Sequence, residues 1–179
     1  MRKIVVAEFL SLDGVMEAPA WTAPYWNDEI AKFKYDELFA SDVLLLGRVT
    51  YQGFAAAWPS SDEGDFADRM NGLPKYVVST TLKTVEWNNS HLINENVAEE
   101  VSRLKQQSGQ DILVAGSATL VNTLMEHNLI DEYHLLVYPV VLGSGKRLFR
   151  DGSKATLKLV ETKTFSSGVA LLGYQPDKK

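Results

Sequence analysis

The chain has 179 residues, of which 45% are hydrophobic and 23% are charged, with a net charge of −5 and no cysteine. This length fits one domain with a sizeable core, the acidic balance argues against a general nucleic-acid surface, and the lack of cysteine excludes disulfide bonds and thiolate chemistry. We expect a cytoplasmic protein, because no apolar stretch is long enough for a signal peptide or a membrane span.

The first predicted element is a strand over residues 4–9, which ends at an Asp-Gly turn within residues 11–14. An aromatic, proline-containing loop follows over residues 15–26, and its role as a lid or as a packed surface loop is left open. A helix comes next, with Asp28 and Glu29 in its first turn, where acidic side chains are favourable.

The second strand, over residues 43–46, runs into a glycine and then into a helix. Arg48 follows Gly47 directly, and its planar guanidinium matches a phosphate monoester with two parallel hydrogen bonds. We expect Thr50 to cap the helix and to direct its free N–H groups towards another phosphate.

A polar and acidic segment over residues 60–72 predicts a loop or a short helix. The next buried strand, over residues 76–78, ends in hydroxyl side chains that include Ser79 and Thr80. Such hydroxyls either line a phosphate or a ribose or close a turn, and the sequence leaves both roles open. A short strand is predicted over residues 91–93.

A helix with apolar residues at 97, 101 and 104 leads to a further strand, the second one that ends in a glycine. This strand covers residues 112–115, Gly116 permits close approach of another group, and Ser117 is a favourable N-cap for the helix that follows. An ordinary strand-to-helix turn would look the same. Two such glycine-terminated strands in one domain nevertheless favour a nucleotide that lies across the strand ends.

The C-terminal third is rich in strands. Residues 131–138 predict a strand, and a glycine loop then precedes Lys146 and Arg147, which either bind a substrate phosphate or remain solvated. Residues 157–174 predict two antiparallel strands joined by a Ser-Ser-Gly turn. The complete pattern predicts an α/β fold whose mostly parallel sheet has an antiparallel C-terminal edge. The histidines lie on separate elements, so we expect no metal site.

These motifs resemble those of a known enzyme family. The segment Gly47-Arg48-Val49-Thr50-Tyr51 is similar to the Gly-Arg-x-Thr-aromatic motif with which dihydrofolate reductases grip the adenosine end of NADPH. Residues 115–117, with Thr119 and Leu120, resemble the turn that holds the pyrophosphate, and Ser79 and Thr80 match hydroxyls that touch the 2′-phosphate. Residues 11–14 and 139–149 are more similar to a sister branch, the reductase domain of riboflavin-biosynthesis deaminase/reductases.

The resemblance covers residues 4–174 and implies a dihydrofolate reductase-like three-layer fold. It departs from the folate enzymes in having one glycine at the second turn where they usually have a pair. The deaminase domain of the riboflavin branch is absent from the chain. These departures leave the substrate open.

The activity implied by the resemblance is hydride transfer from NADPH to a small heterocyclic substrate, as in 5-amino-6-(5-phosphoribosylamino)uracil reductase. Arg48 would select NADPH through its 2′-phosphate, while Gly47, Thr50, Gly116 and Ser117 would hold the rest of the cofactor. Two alternatives stay open: dihydrofolate reductase activity, and a catalytically silent protein that binds a nucleotide or a flavin.

The substrate also needs a proton, and carboxyl groups are the candidates for its donor. Asp13 is the first choice because it lies in the Ser-x-Asp-Gly match, and Glu29 aligns with the acid that binds the pterin ring in folate enzymes. The residues expected around the substrate are Glu17, Trp26, Asp28, Lys146 and Arg147. The resemblance further implies a homodimer, and the apolar residues 135–142 suit either the core or an interface.

Overall fold

A computed structural model describes residues 1–178. Its strands are β1 (Ile4–Leu10), β2 (Ser41–Gly47), β3 (Lys75–Val78), β4 (Ser90–Ile93), β5 (Asp111–Val114), β6 (Glu132–Val137), β7 (Leu157–Thr164) and β8 (Ala170–Pro176). Its helices are α1 (Asp28–Phe39), α2 (Arg48–Ala57), α3 (Gly64–Gly72), α4 (Val97–Gln106) and α5 (Ala118–Glu126), and short 3-10 helices cover Pro19–Tyr25 and Trp58–Ser60.

The strands form one eight-stranded sheet in the order β4-β3-β2-β5-β1-β6-β8-β7. Strands β1 to β6 pair in parallel, and β8 pairs antiparallel with both β6 and β7. The predicted α/β class and the antiparallel C-terminal edge are therefore confirmed. Because β1, β2, β3 and β5 are parallel, their carboxyl ends meet at one edge of the sheet, where ligands bind in open α/β folds.

Two hydrophobic clusters cover the two faces of the sheet and give it three layers. One cluster joins β1 to α4 and α5 through residues such as Val6, Val101 and Val121. The other joins the opposite face of β1 to α1 and α3, with Leu38 and Met70 among its members. This alternation along β1 is what a strand buried on both faces requires.

Most predicted elements are confirmed to within a residue or two, with three refinements. Helix α2 begins at Arg48, and Gly47 occupies the N-cap position without a side-chain hydrogen bond. The prediction that Thr50 caps this helix is therefore wrong, because the helix starts two residues earlier. The polar segment 60–72 contains α3, which is the short-helix alternative. Leu135 and Leu136 of β6 are buried, so this part of residues 135–142 belongs to the core.

Two helices have a side-chain N-cap, Asn27 for α1 and Ser117 for α5. The Asn27 side chain accepts a hydrogen bond from Ile30 N at 3.0 Å and begins α1. Within residues 1–178, no helix is both long enough and apolar enough to cross a membrane.

Candidate active site

The ends of β2 and β5 are joined directly at one edge of the sheet. The backbone amide of Gly47 donates a hydrogen bond to the carbonyl oxygen of Gly116, with 2.9 Å between N and O. A Cβ on Gly47 would lie 2.2 Å from Ser117 Oγ, and a Cβ on Gly116 would lie 2.5 Å from Thr50 Oγ1. Gly116 also has a φ of +124°, which favours glycine. Any side chain at either position would push the strand ends apart. We call the place where Gly47 and Gly116 meet the glycine junction.

Two helices begin at the glycine junction. Ser117 caps α5 as predicted, since its Oγ accepts a hydrogen bond from Leu120 N at 3.3 Å. The exposed guanidinium of Arg48 lies in the first turn of α2 and donates to Gln52 Oε1 at 3.1 Å. The first N–H groups of a helix have no intrahelical partner and carry partial positive charge, and Arg48 adds a full charge. The junction therefore suits the phosphates of a nucleotide.

The other hydroxyls predicted near the cofactor have different surroundings. Ser79 is buried, and its Oγ accepts hydrogen bonds from Thr81 N at 3.2 Å and from Leu82 N at 3.1 Å. It therefore closes the turn after β3, which is one of the two roles that its position allowed. Thr80 is exposed beside it. The side chain of Leu120 is part of the hydrophobic core. Leu120 contributes to the junction only through its backbone amide, which donates to Ser117 Oγ.

A cleft of about 850 Å³ opens next to the glycine junction. Apolar and aromatic side chains form most of its wall. Phe9 comes from β1, Phe54 from α2 and Phe66 from α3, while Trp26 and Trp58 come from the segments before α1 and after α2. A mostly apolar cleft of this volume with a few polar groups is typical of a small-molecule site. Of the predicted site residues, the cleft is lined by Glu17, Trp26, Thr50, Ser117 and Lys146.

Asp13, the first choice for the proton donor, holds a turn instead. Its carboxylate accepts hydrogen bonds from Ser11 Oγ at 2.5 Å, from Gly143 N at 2.8 Å and from Leu142 N at 3.2 Å. These hydrogen bonds, with that of Ser11 the largest contribution, lower the pKa of Asp13 to about 2. Asp13 is therefore not an acid that keeps its proton near neutral pH, because its hydrogen bonds favour the charged form.

Glu29, the second candidate for proton transfer, is also engaged elsewhere. Its Oε1 accepts hydrogen bonds from Ser166 Oγ at 2.5 Å and from Ser166 N at 3.0 Å, and both bonds lower its pKa. Glu29 thus ties α1 to the turn between β7 and β8. Neither Glu29 nor the exposed Asp28 is among the residues that line the cleft. The structure therefore places Glu29, which aligns with the pterin-binding acid of folate enzymes, outside the cleft wall.

A smaller hollow of about 240 Å³ adjoins the cleft at Ala118 and Lys146. Lys146 Nζ donates to Thr119 Oγ1 at 3.1 Å, and Arg147 Nε donates to the backbone oxygen of Asp13 at 3.0 Å. Both cations line the hollow. The structure thus brings Thr119, Lys146 and Arg147 together beside the first turn of α5.

Glu8 is a cleft residue that sequence analysis missed. It lies on β1, is only 6% exposed, and lines the cleft. Its Oε1 is buried and has no hydrogen-bond partner among the described residues. Burial raises the pKa of Glu8 to about 8, although Lys34 acts to lower it. The available signal was a glutamate inside an otherwise apolar strand, which is rarely buried without a reason.

A charged network on α1 and β6 lies beside Glu8. Glu37 Oε1 accepts from Lys34 Nζ at 2.5 Å, and Glu37 Oε2 lies 2.8 Å from His134 Nδ1. Burial acts to raise the pKa of Glu37, but Lys34 and His134 together bring it below its usual range. Glu37 is therefore an ionised, fully paired carboxylate, in contrast to Glu8.

Comparisons with known proteins agree with this geometry. A family model described as the RibD C-terminal domain matches residues 2–171. The uncharacterized protein YyaP of Bacillus subtilis (strain 168) is 34% identical over 178 residues, covering 97% of this chain and 94% of that protein. The family match and this relative cover nearly the whole chain.

Solved structures share the fold at low sequence identity. A protein of Shewanella sp. PV-4, provisionally assigned to riboflavin biosynthesis, has a TM-score of 0.80 at 19% identity and matches 98% of this chain and 99% of its own. Dihydrofolate reductase from Enterococcus faecalis, complexed with NADP(H), has a TM-score of 0.66 at 13% identity, and the match covers 98% of this chain and 97% of that one. A deaminase/5-amino-6-(5-phosphoribosylamino)uracil reductase from Thermotoga maritima has a TM-score of 0.68 at 12% identity, and the match covers 98% of this chain and 56% of that one.

Proposed function

Because the chain belongs to the RibD C-terminal domain family, we propose that it is an NADPH-dependent reductase of a small heterocyclic substrate. The observation that carries the proposal is the glycine junction, where Gly47 and Gly116 meet beside an apolar cleft of about 850 Å³. A dinucleotide lying across these two strand ends would direct its nicotinamide ring into the cleft.

The residues at the junction fit the cofactor. Glycine at positions 47 and 116 lets Ser117 and Thr50 approach the backbone closely, which brings the starts of α2 and α5 together where the cofactor would bind. Ser117 and the first N–H groups of α5 would hold the pyrophosphate, while Arg48 would pair with the 2′-phosphate. NADPH, when bound, supplies the hydride, and the protein supplies orientation and electrostatics.

The cleft fits a flat ring. Trp26, Phe54 and Trp58 offer aromatic surface on which a heterocycle can stack, and few polar groups interrupt that surface. A phosphoribosyl group attached to the ring would reach the neighbouring hollow, where Lys146 and Arg147 supply positive charge. This arrangement supports a substrate similar to 5-amino-6-(5-phosphoribosylamino)uracil. Arg147→Ala should then raise the Michaelis constant for the phosphorylated substrate and not for its dephosphorylated form.

We also propose that two copies of the chain associate. The edge strand β7 leaves Leu159 and Val160 half-exposed, each with 49% of its surface accessible. Apolar side chains on an unpaired edge strand are a liability unless something covers them. A second copy of the chain is the partner that the family resemblance implies.

The proposed function is tested by binding and turnover measured side by side. NADPH should quench the fluorescence of Trp26 and Trp58, which line the cleft. It should then be oxidised in the presence of 5-amino-6-(5-phosphoribosylamino)uracil. Efficient turnover of dihydrofolate that methotrexate blocks would instead support a folate reductase. Cofactor binding without turnover of either substrate would support the silent binding protein.

A further inference from the structure

Glu8 lines the cleft, and the cofactor and substrate contacts proposed above give its carboxyl group no role. We infer that Glu8 is the catalytic acid that gives the substrate its proton, an inference that rests on the proposed reductase function. Its position beside the glycine junction and its buried Oε1, which has no hydrogen-bond partner among the described residues, support this role.

The carboxyl group of Glu8 lies beside the glycine junction. Its Oε1 is 3.6 Å from the point where a Cβ on Gly116 would lie, and the uncharged side chains of Thr50 and Met16 surround the same point. Glu8 also lines the cleft. A nicotinamide ring that leaves the junction for the cleft would therefore pass this carboxyl group, which brings Glu8 close to the reacting atoms.

The other carboxyl groups that line the cleft are Glu17, Glu37 and Glu63. Glu17 is exposed and accepts a hydrogen bond from Lys146 N at 3.0 Å. Glu37 is ionised between Lys34 and His134. Glu63 is exposed at the start of α3. Among these four groups, Glu8 alone combines a buried oxygen without a partner and a place in the cleft wall.

Burial, more than the surrounding charges, keeps the proton on Glu8 at neutral pH. Burial raises its pKa to about 8, Lys34 opposes this shift, and Glu37 adds to it. Lys34 is itself paired with Glu37, so its attraction for a Glu8 carboxylate is partly compensated. An acid whose pKa lies near the working pH is well matched to general acid catalysis.

The proton step balances the hydride step. As the carbon of a C=N group receives the hydride, the π bond breaks and its electron pair forms an N–H bond with the proton of Glu8. The substrate is reduced, the nicotinamide is oxidised, and Glu8 is left as a carboxylate. The ammonium group of Lys34 favours that carboxylate until a solvent proton replaces the one transferred.

The first test needs no substrate. Difference infrared spectroscopy should show the C=O stretch of a protonated carboxylic acid at pH 7, and this band should be lost as the pH rises through about 8. Glu8→Gln should remove the band, and Glu63→Gln, which removes an exposed acid from the same cleft, should leave it. Saturation with NADP⁺, whose nicotinamide is positively charged, should weaken the band by lowering the pKa of a nearby acid.

The second test uses turnover. In wild type, kcat should fall tenfold for each pH unit above about 8. Glu8→Gln should lower kcat by about 10²-fold or more and abolish this pH dependence, with little change in NADPH affinity, and Glu8→Asp should restore part of the rate.

The two proposals fail in different ways. A protein that does not bind NADPH would reject the reductase function whatever the state of Glu8. A band that is absent at pH 7, or that NADP⁺ leaves unchanged, would overturn the role of Glu8 alone. The role of Glu8 would also be overturned if Glu8→Gln kept the wild-type pH profile while NADPH was still consumed. A raised dissociation constant for NADPH as the main effect of Glu8→Gln would overturn it too.

Discussion

The backbone amide of Gly47 lies 2.9 Å from the carbonyl oxygen of Gly116 and donates a hydrogen bond to it. These residues are far apart in the chain, yet Gly47 is the last residue of β2, Gly116 lies two residues beyond the end of β5, and a helix follows each of them closely. Their contact places the N-termini of α2 and α5 side by side at the mouth of the cleft. The proposed cofactor site depends on this contact.

Gly47→Ala should disrupt the junction. Its Cβ would lie 2.8 Å from the backbone nitrogen of Ser117, which cannot move without shifting β5 and α5. We expect a loss of about 1–3 kcal/mol in the free energy of unfolding, measured by urea denaturation, together with weaker NADPH binding. Gly53→Ala is the matched control, because nothing lies within 4 Å of its Cβ and it lies inside α2. It should be neutral or stabilise the protein by up to about 1 kcal/mol. Equal stability of both variants would contradict the steric argument.

Arg48→Ala should separate the two nicotinamide cofactors. The guanidinium of Arg48 is exposed at the start of α2, where we propose that it pairs with the 2′-phosphate. Loss of this charge-assisted pair, worth about 1.5–3 kcal/mol, should weaken NADPH binding by about 10- to 100-fold and leave NADH binding nearly unchanged. Arg103→Ala, which removes an arginine from the surface of α4, is the control. An equal effect of Arg48→Ala on both cofactors would reject the role of Arg48.

Glu8→Gln should be more stable than wild type, by a margin that grows as the pH rises above 4.5. The pKa of Glu8 is raised from an ordinary value of 4.5 to about 8, so the folded state holds a proton that the unfolded state releases between these values. Between 4.5 and about 8, each pH unit therefore lowers the free energy of unfolding of wild type by about 1.4 kcal/mol, which amounts to about 3 kcal/mol at pH 7. The variant avoids this loss. Urea denaturation across this pH range measures the difference.

Glu29→Gln provides a control of opposite sign for the Glu8 experiment. The pKa of Glu29 is lowered, so its carboxylate contributes stability above an ordinary value of 4.5 and loses that contribution as the pH falls through the folded-state value. The variant should be less stable than wild type at neutral pH and equal to it in acid. If Glu8→Gln behaves in the same way, Glu8 is not a buried neutral acid.

Asp13→Asn should weaken the loop that carries Leu142 and Gly143. The backbone amides of these two residues donate to the Asp13 carboxylate, whose pKa of about 2 lies below its ordinary value of 3.8. The stabilisation is therefore present above pH 3.8 and is lost as the pH falls through about 2. Melting temperatures should show the variant below wild type at pH 7, with the gap closing in strong acid. A constant gap at all pH values would contradict the ionised state of Asp13.

Much of the fold could be predicted from the sequence because its signals are local. Alternating or continuous apolar runs, glycines after strands, and N-cap residues such as Asn27 and Ser117 mark the elements within a few positions. Gly47 and Gly116 could be assigned to the same site because parallel strands end at one edge of the sheet.

The roles of the acids could not be predicted in the same way, because distant partners decide them. Asp13 is held ionised first by its neighbour Ser11 and then by amides more than a hundred residues further along the chain, whereas Glu29 is held by the distant Ser166. Glu8 differs, since a lone glutamate in an apolar strand was visible in the sequence. What the sequence did not show is that no hydrogen-bond donor meets its buried Oε1 among the described residues.

The most direct measurement of the central claim is a crystal structure of the protein grown with NADPH. The account predicts the pyrophosphate against Gly116 and Ser117, the 2′-phosphate on Arg48, and the nicotinamide in the cleft within contact distance of Glu8. A cofactor bound elsewhere, or a nicotinamide ring that points away from the cleft, would contradict the account.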